Sequence, residues 1–219
     1  MTTGHMTTRT SDPKVWDVSL RIWHWSFAAA VSFSLATGMS GDLKLIDWHL
    51  RSGYVVLALL AFRLCWGLFG TRFARFTAYR TTPAALVQHF KRASTAQVHT
   101  APGVVMAWSV WLTCLVQAVC GLFNSDDIFT EGPLARYASD AQIDMAGFVH
   151  ARVFWLLIVL ISVHLVAILW YGLVRRDPLA LSMFTGRKPA TVDSVAARPV
   201  ATVFAWLAAA VILGLLVSF

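Results

Sequence analysis

Two histidines, His150 and His164, bracket thirteen residues of which eleven are apolar and none is charged after Arg152. An ionisable ring in so apolar a run is costly to bury, and such residues usually face a bundle interior where they bind or relay something. Fourteen residues at about 100° each bring the second ring back to within roughly 40° of the first, some 21 Å further along the axis. Both rings therefore point the same way from one helix, at two depths. Each needs a partner from another helix. His49 opens an apolar run at the level of His150, and His24 lies on the same side of the membrane as His164, so the pairs are His49 with His150 and His24 with His164. The second pair matches less well in depth, and tilt or an N-terminal extension of the first helix through "VWDVSLR" would reconcile it.

Two imidazoles per site, with no carboxylate or thiolate at hand, narrow the chemistry. Zinc takes three or four protein ligands, and di-iron bundles use Glu with Glu-x-x-His. There is no glutamate in any apolar run. A low-spin heme b iron with two axial imidazoles suits each pair, and the lack of a CxxCH sequence argues against covalently attached c-type heme. Any one of these histidines could simply be interfacial or helix-linking. Four with matched levels make that reading weak.

Arg63 follows His49 by fourteen residues and shares its face at the inner level, where it could pair with a propionate or a quinone carbonyl. Arg51 and Arg152 stand about 200° round the helix from the outer histidines and are read as snorkelling to headgroups. Arg21 is read as an ordinary flanking charge, and His89 and His99 as loop or surface residues. His5 falls in "MTTGHM", which has the look of a cloning remnant and is set aside. Cys65, Cys114 and Cys120 all lie in apolar helices, where small buried hydrophobes are the expected role.

The elements that must hold these residues are membrane helices. The chain has 219 residues, 58% of them hydrophobic and 13% charged, with a mean hydropathy of +0.64, outside the usual make-up of a soluble domain. Runs at 22–40, 48–69, 103–123, 148–174 and 200–218 approach the length needed to cross a hydrocarbon core of about 30 Å. Backbone groups in lipid must be satisfied internally, so all five are expected to be helices. The fourth, about 40 Å long, should tilt or protrude. Trp23, Trp25, Trp48, Trp66 and Trp170 sit near predicted helix ends and are expected to be interfacial anchors. "TPAALVQHFKRA" suits a short surface helix.

The net charge of +7 does not point to nucleic acid. Basic residues concentrate before the first run, between Thr71 and Pro102, and after the fourth run, alternating with the acidic segments "GDLKLID" and "NSDDIFTEGPLARYASDAQIDMAG". This positive-inside pattern puts the N-terminus and the 71–102 loop in the cytoplasm, the acidic segments outside, and the C-terminus outside if all five runs span. The expected organisation is a polar segment at 1–14, a transmembrane domain at 15–188, a linker at 189–199 and an additional helix at 200–219, with a packing or anchoring role.

The stretches "VWDVSLRIWHW", "WHLRSGYVVLALLAFRLCWGLFGTRFARF", "GLFNSDDIFTEGPLA", "HARVFWLLIVLISVH" and "MFTGRK" together resemble the bacterial cytochrome b561 family and its relatives, the b-type cytochrome subunits of nickel-iron hydrogenases. The resemblance implies an all-α integral membrane fold, a four-helix transmembrane bundle holding two non-covalent b hemes. Its fourth helix would ligate both hemes through His150 and His164, with the other ligands from His24 and His49. The fifth helix departs from the four-span pattern.

The function expected is electron transfer between the quinone pool, ubiquinone or menaquinone, and a periplasmic redox partner such as a c-type cytochrome. No general acid, base or nucleophile stands out. Some family members look like superoxide oxidases, which would gain from a positive outer surface, whereas the larger outer loop here has five acids and one arginine. A heme-carrying anchor for a periplasmic hydrogenase or dehydrogenase is a further alternative, as is a heme-free transporter that uses the histidines for proton relay.

Overall fold

The computed structural model describes residues 13–91, 98–125, 130–177, 179–188 and 194–218. His5 and the tag reading, Asp126 and Asp127 of the outer loop, and part of the 189–199 linker lie outside the described residues. The helices are α1 (Val18–Met39), α2 (Ile46–Phe69), α3 (Pro83–Lys91), α4 (Ala101–Phe123), α5 (Asp140–Leu173), α6 (Leu179–Thr185) and α7 (Pro199–Val217). Among the described residues there is no strand beyond two isolated bridges.

Local chemistry sets the helix starts. Asp17, in extended backbone, accepts the Leu20 N–H and caps α1. Thr100 accepts from Gly103 N–H and is followed by Pro102 in the first turn of α4. Ser139 and Gln142 form a reciprocal capping box on α5. That box corrects one expectation. Helix α5 has 34 residues rather than 27, about 51 Å at 1.5 Å per residue, because the polar stretch "DAQIDMAG" is helical and carries α5 beyond its apolar run. The expected extension of α1 through "VWDVSLR" is present in part, since α1 begins at Val18 and residues 15–17 lie outside the helix, with Asp17 as its cap.

Leu43–Phe69, Ala101–Phe123, Asp140–Leu173 and Pro199–Val217 are long and apolar enough to cross a membrane. The 22-residue α1 is diluted by Arg21, His24 and its serines but packs along α2. Helix α2 is central, with α1, α4 and α7 against it, while α5 packs on α4. The shared core contains Phe27, Leu59, Phe62, Cys114 and Leu157, joined by Ala205 and Ala209 of α7. These two alanines, four residues apart, let α7 approach α2 closely, in the manner of small residues at membrane helix contacts. Phe62 meets Trp206 at 4.3 Å between ring centroids. The fifth helix thus has the packing role expected of it.

Several peripheral residues are more deeply built in than their positions suggest. Trp23 and Trp66 are 3% and 1% exposed; the Trp23 indole donates to Leu59 O at 2.7 Å and the Trp66 indole to Asp17 Oδ2 at 3.2 Å. They are core residues and not anchors, whereas Trp25, Trp48 and Trp170 are exposed as expected. Arg21 donates to Phe184 O, tying α1 to α6. Beside it, Gly186 O accepts from Val15 and Trp16 N–H at 2.9 and 3.1 Å. A side chain on Gly186 would stand 2.7 Å from Trp16 O, in a backbone with φ +77°, so the site requires glycine. His99 is no simple loop residue either: its Nε2 donates to Phe73 O at 2.8 Å, and its ring lies 4.1 Å from Tyr79 and 5.0 Å from Trp16. Burial holds its pKa down to about 4. The predicted surface helix is α3, where His89 meets the Tyr171 hydroxyl at 2.6 Å.

Candidate functional site

His49 at the start of α2 and His150 in α5 face each other across a cavity of about 570 Å³ lined by α1, α2, α4 and α5. The volume falls in the range of about 300–1,000 Å³ common to ligand sites. The two ring centroids are 6.1 Å apart and the ring planes cross at 89°.

Their surroundings are built alike. His49 Nδ1 lies 2.9 Å from Ser34 O of α1, and His150 Nδ1 lies 2.9 Å from Gln117 O of α4. A backbone carbonyl can only accept, so in each ring Nδ1 carries the proton and Nε2 is left as the basic nitrogen. Four residues beyond each acceptor stands a glycine against the ring. A Cβ at Gly38 would lie 2.8 Å from His49 Cε1, and one at Gly121 would lie 3.2 Å from His150 Cε1. Each imidazole therefore rests on the bare backbone of a neighbouring helix, with its tautomer set by that helix's carbonyl. Such outer-shell acceptors orient metal-ligating histidines and raise their basicity.

The separation fits a shared metal atom. Two metal–imidazole bonds of about 2 Å, taken from centroids roughly 1 Å behind their nitrogens, span about 6 Å. Among the described residues no three His, Cys, Asp or Glu side chains converge as a metal-binding group. The imidazoles come in twos, within an apolar chamber whose wall includes Gly53, Tyr54, Cys114 and Phe154. That combination suits an iron already held on four sides by a planar macrocycle.

His24 of α1 and His164 of α5, the second pair expected from the sequence, lie within electrostatic reach of each other. His24 Nδ1 is buried without a hydrogen-bond partner, and its ring stands edge-on to Trp25 at 5.1 Å. Arg63 is 2% exposed. Its guanidinium carbon lies 4.2 Å from the Trp111 ring, 4.9 Å from Phe76, 5.0 Å from Tyr79 and 5.7 Å from Trp23. Tyr79, whose hydroxyl is the acceptor within reach, and Asp17 are its electrostatic partners, although the contact to its three nitrogens falls short of full hydrogen-bond geometry. The rings supply what acceptors do not, through their negative faces. Arg51 and Arg152 are exposed beside Trp48 and Phe148.

Sequence reasoning overlooked Ser34, Gly38, Gln117 and Gly121. A signal was available in that each glycine follows a polar residue by one helical turn, but nothing in the sequence says which histidine will lie against it.

A membrane-embedded helical bundle with imidazoles paired across an apolar chamber defines a class, the b-type membrane cytochromes. A sequence model of the prokaryotic cytochrome b561 family matches residues 15–186, and the chain belongs to that family. It is a multi-pass membrane protein that carries b-type heme and works in electron transfer. No curated protein and no solved structure matches it.

Proposed function

We propose that the chain holds two b hemes, the outer between His49 and His150 and the inner between His24 and His164, and passes electrons between membrane quinone and a periplasmic redox protein such as a c-type cytochrome. The observation that carries this reading is the crossing of His49 and His150 at 6.1 Å, each with its Nδ1 proton given to a backbone carbonyl. Heme, when bound, supplies an iron that takes up and releases one electron at a time. The protein's part is to hold each Nε2 unprotonated and aimed, and to keep the chamber apolar so that water stays away.

In this reading the unit at 15–188 carries both hemes, and the 200–219 helix is an addition reached through the 189–199 linker. The N-terminus lies in the cytoplasm and the C-terminus in the periplasm. Arg63 is the inner-side cation, and a propionate or a quinone carbonyl would join Tyr79 as its acceptor. The outer loop, with five acids against Arg136, favours docking of a basic partner protein over steering of an anionic substrate such as superoxide.

A dithionite-reduced minus oxidised spectrum with pyridine hemochrome quantitation tests the heme count, with two hemes per chain expected. His150→Ala and His164→Ala should each remove one heme and leave the other. Both hemes surviving either change would defeat the assignment of α5 as donor to both. Quinol-driven reduction of added cytochrome c by the isolated protein is the expected activity. Its absence, together with co-purification of a metal-containing subunit, would instead indicate an anchor.

A further inference from the structure

Where α2 ends and α7 begins, away from the histidine cavity, a groove of about 740 Å³ runs between the two helices. Leu68, Phe69, Val200 and Phe204 wall it, each more than half exposed. Arg75 and Arg198 stand in the same lining, and among the described residues no acidic one does. The Arg75 Nε donates to Gly70 O at 3.0 Å, which orients its guanidinium and keeps the terminal nitrogens as donors.

So much exposed apolar surface requires a covering, and at the end of a membrane helix the available covering is acyl chain. Plain acyl chain would leave the two guanidinium groups of this lining without a counter-charge. A guanidinium fork matches the oxygens of a phosphate, and basic pockets between membrane helices select anionic headgroups. We propose that this groove binds an anionic phospholipid, its phosphate held between Arg75 and Arg198 and its chains laid along Leu68, Phe69 and Phe204. Half of the site comes from α7, which lies beyond the residues 15–186 that the family shares. The proposal is independent of how the hemes are ligated.

The test uses the full-length heme-loaded protein in a non-ionic detergent, titrated by native mass spectrometry with phosphatidylglycerol and with phosphatidylcholine of the same chains. The wild type should retain phosphatidylglycerol preferentially. Arg198→Gln should weaken that binding roughly fivefold, and the Arg75→Gln/Arg198→Gln pair roughly 25-fold. Arg198→Lys should restore part of the loss, and Arg136→Gln, in the other loop region, should change nothing. Arg198 is exposed and makes no side-chain cap on α7, so its variant folds even if the Arg75 change disturbs the α2 terminus. Equal affinity for the two lipids, or binding indifferent to Arg198→Gln, would overturn the proposal. Displacement of the lipid by an equal concentration of inorganic phosphate would also overturn it, reducing the groove to an anion site.

Discussion

Replacing the glycines that back the outer histidines should separate a supported heme site from a fortuitous pairing. In Gly38→Ala the new methyl would lie 2.8 Å from His49 Cε1 and 2.9 Å from Nδ1. Ordinary contact needs about 3.4 Å or more, so the ring must retreat by roughly 0.5 Å. That stretches the 2.9 Å hydrogen bond to Ser34 O beyond useful length. Losing the bond costs about 1 kcal/mol and overpacking a further 1–3 kcal/mol. Together these weaken heme retention at the outer site about 30- to 1,000-fold. In Gly121→Ala the contact with His150 Cε1 is 3.2 Å, a few tenths of an ångström suffice, and the loss should be under tenfold. Gly214→Ala, on α7 with open space around it, is the control and should be neutral or gain up to about 1 kcal/mol. The assay is heme per chain by pyridine hemochrome, with the reduced difference spectrum reporting which site is depleted. Full heme content in Gly38→Ala, or a larger loss in Gly121→Ala than in Gly38→Ala, would refute the claim that bare helix backbone seats these rings.

Asp17 caps α1 and accepts from both Trp66 Nε1 and Thr71 Oγ1, at 3.2 and 2.7 Å, so Asp17→Ala should cost about 2–4 kcal/mol. The readout is a lower midpoint for thermal loss of the heme absorbance, and a shift within error of wild type would contradict it. His99 has its pKa lowered to about 4 by burial, against about 6.5 when unfolded. Between these values the unfolded chain binds the extra proton, so the contribution of the neutral ring is full above pH 6.5 and falls by about 3 kcal/mol as pH drops to 4. His99→Gln should flatten thermal stability across that window, and an unchanged profile would count against the burial argument. Ala205 is 1% exposed against α2, so Ala205→Leu should push α7 away at about 1–3 kcal/mol. Heme content should hold, because α7 does not line the histidine cavity; loss of heme would show the helix to be more than a buttress.

The sequence made the long helices legible because each carries a run of apolar residues that lipid demands, and their ends lie within a few residues of expectation except in α5. There the apolar run stops at the membrane surface while the helix continues, driven by its Ser139 and Gln142 box. The facing of His49 and His150 was legible because helical periodicity fixes direction and depth together. What periodicity does not encode is the neighbour. Trp23 and Trp66 sit near helix ends, where an indole can face headgroups or core with the same local sequence, and the choice falls to Leu59 O and Asp17 on other segments. Arg63 was legible as an inner-level cation on the face of His49, but not as the centre of four aromatic rings drawn from α1, α4 and the segment after α2.

The chamber between α5 and the α1–α2 pair has a consequence for supply. A ligand seated there touches α1, α2, α4 and α5 at once, so it acts as mortar for the bundle, and its free concentration adds directly to the stability of the assembled form. In a cell short of iron or porphyrin the chain should therefore be less stable and accumulate to a lower level, so that its abundance follows tetrapyrrole supply.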